Sequence, residues 1–483
     1  MTAIGETGRA ARRSGRQALA LLAAAGVLSG ATAADAEGQA CADAGLELLS
    51  TTAAGVAGNG LSGVFGLGIS ADGESVAFSS MATDLGPPDA GASPDIYVQR
   101  LDGGGPVVLA SAAPDGTSGD APSTRPSLSG DGSRVAFLSA ATNLDPRVGG
   151  RLPRAFVADL AAGEVRAVST TAGDEPADGP TSAVAISADG RNVAFVSTAT
   201  NLSADDGDAD PDVFVKDLDS GRITLASVRA DGDKPRVGWF GVAAVSLSAD
   251  GSRVAFSSDA ALDDADDNGR ADVYVKDLVE GDITLASSTA DGVVGDAAST
   301  TPTLTGAGDA VVFSTFAANF DERDASSDPD VYVKDLSSGA LQLASTTADG
   351  EKADAGASQP AISGDGVVVS FVSRSTNLGA ATTEPPRLQV YAKLLTTGQV
   401  TLISAAPDGT PGDATSLLSA LSGDGSRAAF SSASTNLCPT DDNRVSDVYL
   451  AHPFGLGGSA SPPGDAKPPW RDEGLVSDAT AAA

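Results

Sequence analysis

The chain has 483 residues, a formal net charge of −34 and 64 acidic side chains, of which 53 are Asp and 11 are Glu. Asp and 57 Gly favour turns where Glu would favour helices, so the composition describes many turns and little helix, with 41% apolar residues to build a core. One His and two Cys argue against most His-metal, thiol and Ser-His-Asp chemistries, and the acidity argues against nucleic acid or an anionic membrane surface as partner, leaving cations and basic surfaces.

Residues 1–33 read as an export signal. Arg9, Arg12, Arg13 and Arg16 precede an apolar run, Ala18 to Val27, too short to span a membrane, and Ala31-Thr32-Ala33 offers a cleavage site. Arg12-Arg13 leaves a twin-arginine route open beside the general secretory one. Cleavage after Ala33 removes four Arg and one Glu and takes the net charge from −34 to −37. Residues 34–45 are a short linker. No other stretch approaches 18 apolar residues, so no membrane span is expected.

From residue 46 to 455 the chain repeats itself. An apolar-Ser-x-Asp-Gly motif begins at Ile69, Leu128, Ile186, Leu247, Ile362 and Leu421, with a degenerate copy at Leu304; the starts lie 57 to 61 residues apart. The fourth unit shows the grammar. Strand A is predicted over 242–248, strand B over 253–258, strand C over 272–278 and strand D over 283–288, each a β-branched or aromatic run bounded by turn residues. One aromatic recurs in strand B (Phe78 through Phe430) and one in strand C (Tyr97 through Tyr449), which reads as core packing.

Four antiparallel strands repeated seven times predict an all-β, seven-bladed β-propeller. The last unit lacks strand D, and 46–51 matches that strand, so the N-terminal segment is expected to complete the last blade. Residues 456–483, rich in Gly, Pro, Ser and Ala, read as a disordered tail.

Strand alternation puts the long B–C loops and the D-to-A links on one face, where binding is expected. Blade 4 offers Asp264, Asp266, Asn268 and Asp272 in a D-x-D-x-N-G-x-x-D spacing that resembles the start of a calcium loop. Blade 3 offers Asp206, Asp208, Asp210 and Asp212; blade 5 offers Asp324, Asp328 and Asp330; blade 7 offers Asp441, Asn443 and Asp447. Turn-making and solvation explain the same residues without an ion, so no cofactor is required and calcium stays open. Trp239-Phe240 in the longest repeat, and Arg147 and Arg151 in blade 2, are candidate binding-face residues. Cys41 and Cys438 form an even pair, as a disulfide in an exported chain would need. Blade topology, however, sets them at opposite ends of a blade, so the bond needs an N-terminal segment that doubles back.

Ser-x-Asp-Gly, Val-Ala-Phe, Asp-Val-Tyr-Val-Lys-Asp-Leu, the Ser-Gly turn and Ala-Thr-Asn-Leu together resemble the WD40-like repeats of TolB-type exported propellers, over roughly residues 46–453. The resemblance implies a propeller in the periplasm or outside the cell that binds a protein or envelope component without catalysis. Seven blades rather than six, and a dozen residues in place of an N-terminal α/β domain, point to a generic exported propeller rather than a member of the Tol system. A monomer is expected. The alternatives are a calcium-dependent carbohydrate-binding propeller and a carboxylate-based glycoside hydrolase. No catalytic motif is recognisable, and His452 reads as a surface group.

Overall fold

The computed structural model describes residues 41, 45–86, 93–101, 105–237, 242–379 and 385–455. The signal reading of 1–33, Trp239-Phe240 and the tail at 456–483 lie outside these described residues.

Seven four-stranded antiparallel sheets follow one another along the chain as the blades of a propeller. In blade 4 the strands are Val242–Leu247 (A), Arg253–Ser258 (B), Asp272–Asp277 (C) and Ile283–Leu285 (D). Strand D is shorter than its sequence pattern suggests, because Ser287 leaves the ladder and turns its hydroxyl onto the start of strand C. Blade 7 takes its fourth strand, Leu46–Leu48, from the N-terminal segment, paired Leu46 to Ala451 and Leu48 to Tyr449. The expected closure is therefore present.

The core lies between blades. Ala255, Val273 and Val275 of blade 4 pack against Val311, Phe313 and Tyr332 of blade 5. The cluster that joins the two ends sets Ala429, Val448 and Leu450 against Val76, Phe78 and Tyr97. Within each blade the strand B and strand C aromatics sit with ring centroids 5.6 to 6.5 Å apart and are buried, so they are core, as expected.

Polar residues of the repeat serve the joints. The Ser-x-Asp-Gly turns are linked head to tail: the backbone N–H of Asp72, Gly130, Asp189, Ala249, Gly306, Asp365 and Gly423 each donates to a carbonyl of the next blade's turn, at 2.7 to 3.0 Å, and the last bond returns to Ala71. Arg427 of blade 7 likewise donates to the Gly73 carbonyl of blade 1 at 2.6 Å. The Lys of strand C is buried in blades 3 to 6 (Lys216, Lys276, Lys334, Lys393). Its ammonium donates to carbonyls of the preceding blade, as Lys276 does to Val228 and Arg229 at 3.1 Å. Burial pushes Lys334 and Lys393 down to about 8.

The Ala-Thr-Asn-Leu motif also acquires a reason. Asp178 in the link before blade 3 accepts from the Thr200 N–H and hydroxyl at 2.7 and 2.9 Å, while Asn201 accepts from the Asp178 N–H at 3.1 Å. The same clamp recurs at Asp120, Asp354 and Asp413.

Cys41 and Cys438 form a disulfide, with Cα atoms 5.7 Å apart, inside the cluster that seals blades 6 and 7. The expectation that they sit at opposite ends of the blade does not hold. Cys41 precedes Leu46 by five positions, a stretch of chain that can span up to about 17 Å, the height of a blade.

Candidate functional site

The long-loop face is organised around the first residue of strand C. It is Asp95, Asp212, Asp272, Asp330 and Asp447 in blades 1, 3, 4, 5 and 7, and each is buried. A Ser just past strand D pins it: Ser287 Oγ donates to Asp272 Oδ1 at 2.6 Å and accepts from the Val273 N–H at 3.0 Å. In blade 7 the pin is Ser50, donating to Asp447 across 397 residues at 2.6 Å. Blade 2 has Arg154 at this position and blade 6 has Gln389; both donate to link carbonyls, of Ala177 and Gly412.

Six residues upstream, among the described residues, blades 3, 4, 5 and 7 carry a second buried carboxylate: Asp206, Asp266, Asp324 and Asp441. What stands between the two carboxylates differs by blade. In blade 3 it is an ammonium: Lys234 Nζ lies 2.6 Å from Asp206, 2.7 Å from Asp208 and 2.6 Å from Asp212. Burial pulls this Lys down, but its bonds to the three carboxylates outweigh that and hold it above its ordinary value. In blade 5 Lys352 stands 2.7 Å from Asp330 and 3.6 Å from Asp324.

Blades 4 and 7 have an amide instead. Asn268 Nδ2 donates to Asp272 Oδ2 at 2.7 Å and to the Gly295 carbonyl at 3.0 Å. Asn443 Nδ2 donates to Asp447 Oδ2 and to the Gly58 carbonyl, both at 2.9 Å. Tyr274 and Tyr449 donate to Oδ2 of Asp266 and Asp441. Burial pushes Asp272 up to about 6 and Asp447 up to about 7, and the neighbouring carboxylate adds to both shifts.

These shifts have a sign. Both groups bind protons more tightly in the folded state than at the ordinary 3.8, so the fold gains stability from them as pH falls from about 7 toward 4. In chelator-treated buffer the melting temperature is expected to be higher at pH 5.5 than at pH 8. Asp447→Asn should flatten that difference in a thermal melt. Carboxylates held below 3.8, such as Asp131 and Asp250, work in the other direction only at lower pH.

The structure redistributes the candidate residues. Asp206, Asp208, Asp266, Asn268 and Asp272 belong to these clusters. Asp264 does not: it is exposed and pairs with Arg229. Asp210 does not either; its N–H donates to Asp208 at 3.0 Å, and Asp212 takes the place in the cluster. Arg147 is bidentate on Asp145, two residues back, and Arg151 lies 3.5 Å from Asp120, so both fasten their own blade. His452 is half-buried, and burial lowers its affinity for a proton. Sequence reading missed Lys234 and Lys352; the signal was a Lys seven residues after the pinning Ser in two units, Ser227 and Ser345.

The strand A residues of all seven blades line a central cavity of about 340 Å³, including Leu67, Leu128, Ile186, Leu247, Ile362 and Leu421. No ionisable side chain lines it among the described residues, so the facing carboxylates that glycoside hydrolysis needs are not there. At the mouth, on the long-loop face, strand A carries a bulge in each blade. Four bulges put a non-glycine residue at positive φ: Arg125 (55°), Thr301 (53°), Gln359 (53°) and Leu418 (46°). Such conformations cost about 1–3 kcal/mol each and re-aim a side chain.

The largest bulge is in blade 1, where Ser62 pairs with Ser80 and the next pair is Leu67 with Phe78. Gly66 within it has φ 126°, and a Cβ there would meet Arg125 Cα at 2.8 Å. Ser79 Oγ holds the bulge, accepting from the Phe65 N–H at 3.1 Å and donating to the Gly66 carbonyl at 3.3 Å. Phe65 is left 39% exposed and, with Val64, Thr124, Arg125 and Leu418, lines a cup of about 400 Å³.

No protein-family model matches the chain, and no curated protein matches it. Solved structures do. TolB from Acinetobacter baumannii is 17% identical with a TM-score of 0.38, over 66% of this chain and 64% of that one, so the chain spans less than two thirds of its length. An oligogalacturonate lyase from Vibrio parahaemolyticus is 12% identical with a TM-score of 0.48, over 84% and 93%. The β-propeller domain of the Trilobed protease from Pyrococcus furiosus is 11% identical with a TM-score of 0.45, over 83% and 96%. The fold rests on the chain's own strand register: it is a seven-bladed β-propeller, and the structures it resembles include TolB proteins and propellers of other kinds.

Proposed function

We propose that this chain is an exported, non-catalytic binding propeller that engages a protein or envelope component through its long-loop face. The observation that carries the reading is the cup at the channel mouth. Strained and bulged backbone there holds Phe65, Val64 and Leu418 open to solvent beside Arg125. Aromatic and Arg side chains in a concave, rigid setting are the usual anchors of a protein interface. Many of the repeat's other charged residues, such as Lys276, Asp178 and Arg427, serve joints between strands and blades. The disulfide fits an oxidising compartment.

A photo-cross-linking residue at Phe65 tests this. In envelope extract, position 65 is expected to yield a discrete adduct, and Phe65→Ala in a competing unlabelled copy should fail to suppress it. The control is Val279, 75% exposed on the C–D turn face. Equal labelling from both positions, or none from 65, overturns the reading.

A further inference from the structure

Among the described residues, four blades carry paired buried aspartates; they fall into two kinds, and the difference identifies a site. Blades 3 and 5 place a Lys from the D-to-A link between the carboxylates. The corresponding link residue is Val294 in blade 4 and Ala57 in blade 7. The backbone fixes this equivalence, because Thr346 bridges Lys352 as Ser288 bridges Val294 and Thr51 bridges Ala57. Blades 4 and 7 thus keep both carboxylates and lack the cation.

The atoms correspond too. In blade 5 Asp324 uses Oδ2 for the Tyr332 hydroxyl and turns Oδ1 to the Lys352 ammonium. In blades 4 and 7, Asp266 and Asp441 use Oδ2 for Tyr274 and Tyr449. Their Oδ1 atoms, on residues 6% and 2% exposed, have no hydrogen-bond partner. The backbone N–H of Asn268 or Asn443 lies near each carboxylate and favours its charged form. A buried carboxylate oxygen without a donor keeps its full desolvation penalty. Here it faces the spot where two sister blades hold a positive charge.

We propose that blades 4 and 7 each bind one calcium ion, between Asp266 and Asp272 and between Asp441 and Asp447, at the place that Lys352 fills in blade 5. The donors are all hard oxygens. Asp266 Oδ1, Asp272 Oδ2 and the Gly295 carbonyl serve one site; Asp441 Oδ1, Asp447 Oδ2 and the Gly58 carbonyl serve the other. Water completes a shell of six to eight oxygens, the preference of calcium. The Asn amide, whose Nδ2 bonds the second carboxylate and the carbonyl in the ion-free form, gives up those two acceptors. The blade 3 loop, with three carboxylates, is not a third site, because Lys234 already neutralises it. The inference stands independently of the partner-binding reading. Its blade 7 member joins strand C to the segment just after the closing strand, so that ion secures the closure.

The test is calorimetric titration of calcium chloride into chelator-treated, oxidised protein at pH 7.5, with thermal melts alongside. Two sites and a rise of several degrees in melting temperature are expected. Asp266→Asn and Asp441→Asn should each remove one site. Val294→Lys and Ala57→Lys should each remove one site and, without calcium, raise the melting temperature toward that of the loaded protein. These lysine variants keep the test valid if a carboxylate variant fails to fold. No heat and no melt shift at millimolar calcium overturns the proposal. So does binding that survives Val294→Lys combined with Ala57→Lys.

Discussion

Deletion of residues 34–52 is expected to leave a protein that melts far below the intact chain or does not fold. The deletion removes the fourth strand of blade 7 and uncovers the C strand ladder from Val448 to Ala451. It takes away three buried leucines, Leu46, Leu48 and Leu49, each worth about 1.5–3 kcal/mol of burial. It also removes Ser50, leaving the Val448 N–H and Asp447 Oδ1 buried without their partner. Together these losses approach the ~5–15 kcal/mol by which domains are stable at all. The deletion also removes Cys41, so Cys41→Ser is the necessary companion. Cys41→Ser should keep the far-ultraviolet circular dichroism of the intact chain and lose a smaller part of its melting temperature. A deletion mutant that melts with the intact protein refutes non-covalent closure.

Lys234→Met should destabilise the fold by about 3–5 kcal/mol, the usual consequence of removing one partner from a buried charge cluster. Asp206 and Asp212 are buried and sit 2.6 Å from the ammonium, so the mutation leaves two carboxylates facing each other with Asp208 beside them. Lys352→Met should cost less. It faces two carboxylates rather than three, one of them at 3.6 Å. Urea denaturation measures both. Adding Asp212→Asn to Lys234→Met should recover part of the loss, since Asn keeps the acceptor for Ser227 and removes a charge. A Lys234→Met protein as stable as the parent would show that these carboxylates are protonated or hydrated rather than paired.

The fold was legible because every blade restates it. One aromatic in each strand B and strand C, an Asp-Gly in six of the seven A–B hairpins and a near-constant spacing leave few other arrangements, and even the missing strand could be placed from its likeness to Ile283–Leu285. The excess of Asp over Glu also resolves into positions. Turn Asp residues such as Asp250 accept from nearby Ser hydroxyls and N–H groups, link residues such as Asp178 clamp loops, and strand starts such as Asp272 take the Ser pin. Each needs a carboxylate one carbon from the backbone, which Glu does not offer.

The candidate site was less legible. Spacing singled out the Asp264 to Asp272 run, but spacing does not say which oxygens are buried or what faces them. Asp264 points to solvent, and the decisive residues, Lys234 and Lys352, come from a link some twenty residues further on. Phe65 escaped notice because it belongs to an irregular strand A, Ser62–Ile69, whose alternating glycines hide the aromatic as part of a loose strand. The cysteine geometry went astray for a similar reason: strand height bounds only the strand, not the residues before it.

The Cys41–Cys438 bond makes the propeller a macrocycle. Nearly the whole ring lies within one covalent loop of 397 residues' separation, and the closing strand is inside that loop. The chain between the two cysteines therefore has no free end at which unravelling can start. A protease that cuts one inter-blade link produces two new termini but no detached fragment. Strand C of blade 7, Asp447–Ala451, follows Cys438 and stays outside the loop, so while the surroundings keep the bond oxidised the seam between blades 7 and 1 can be peeled only from that one strand.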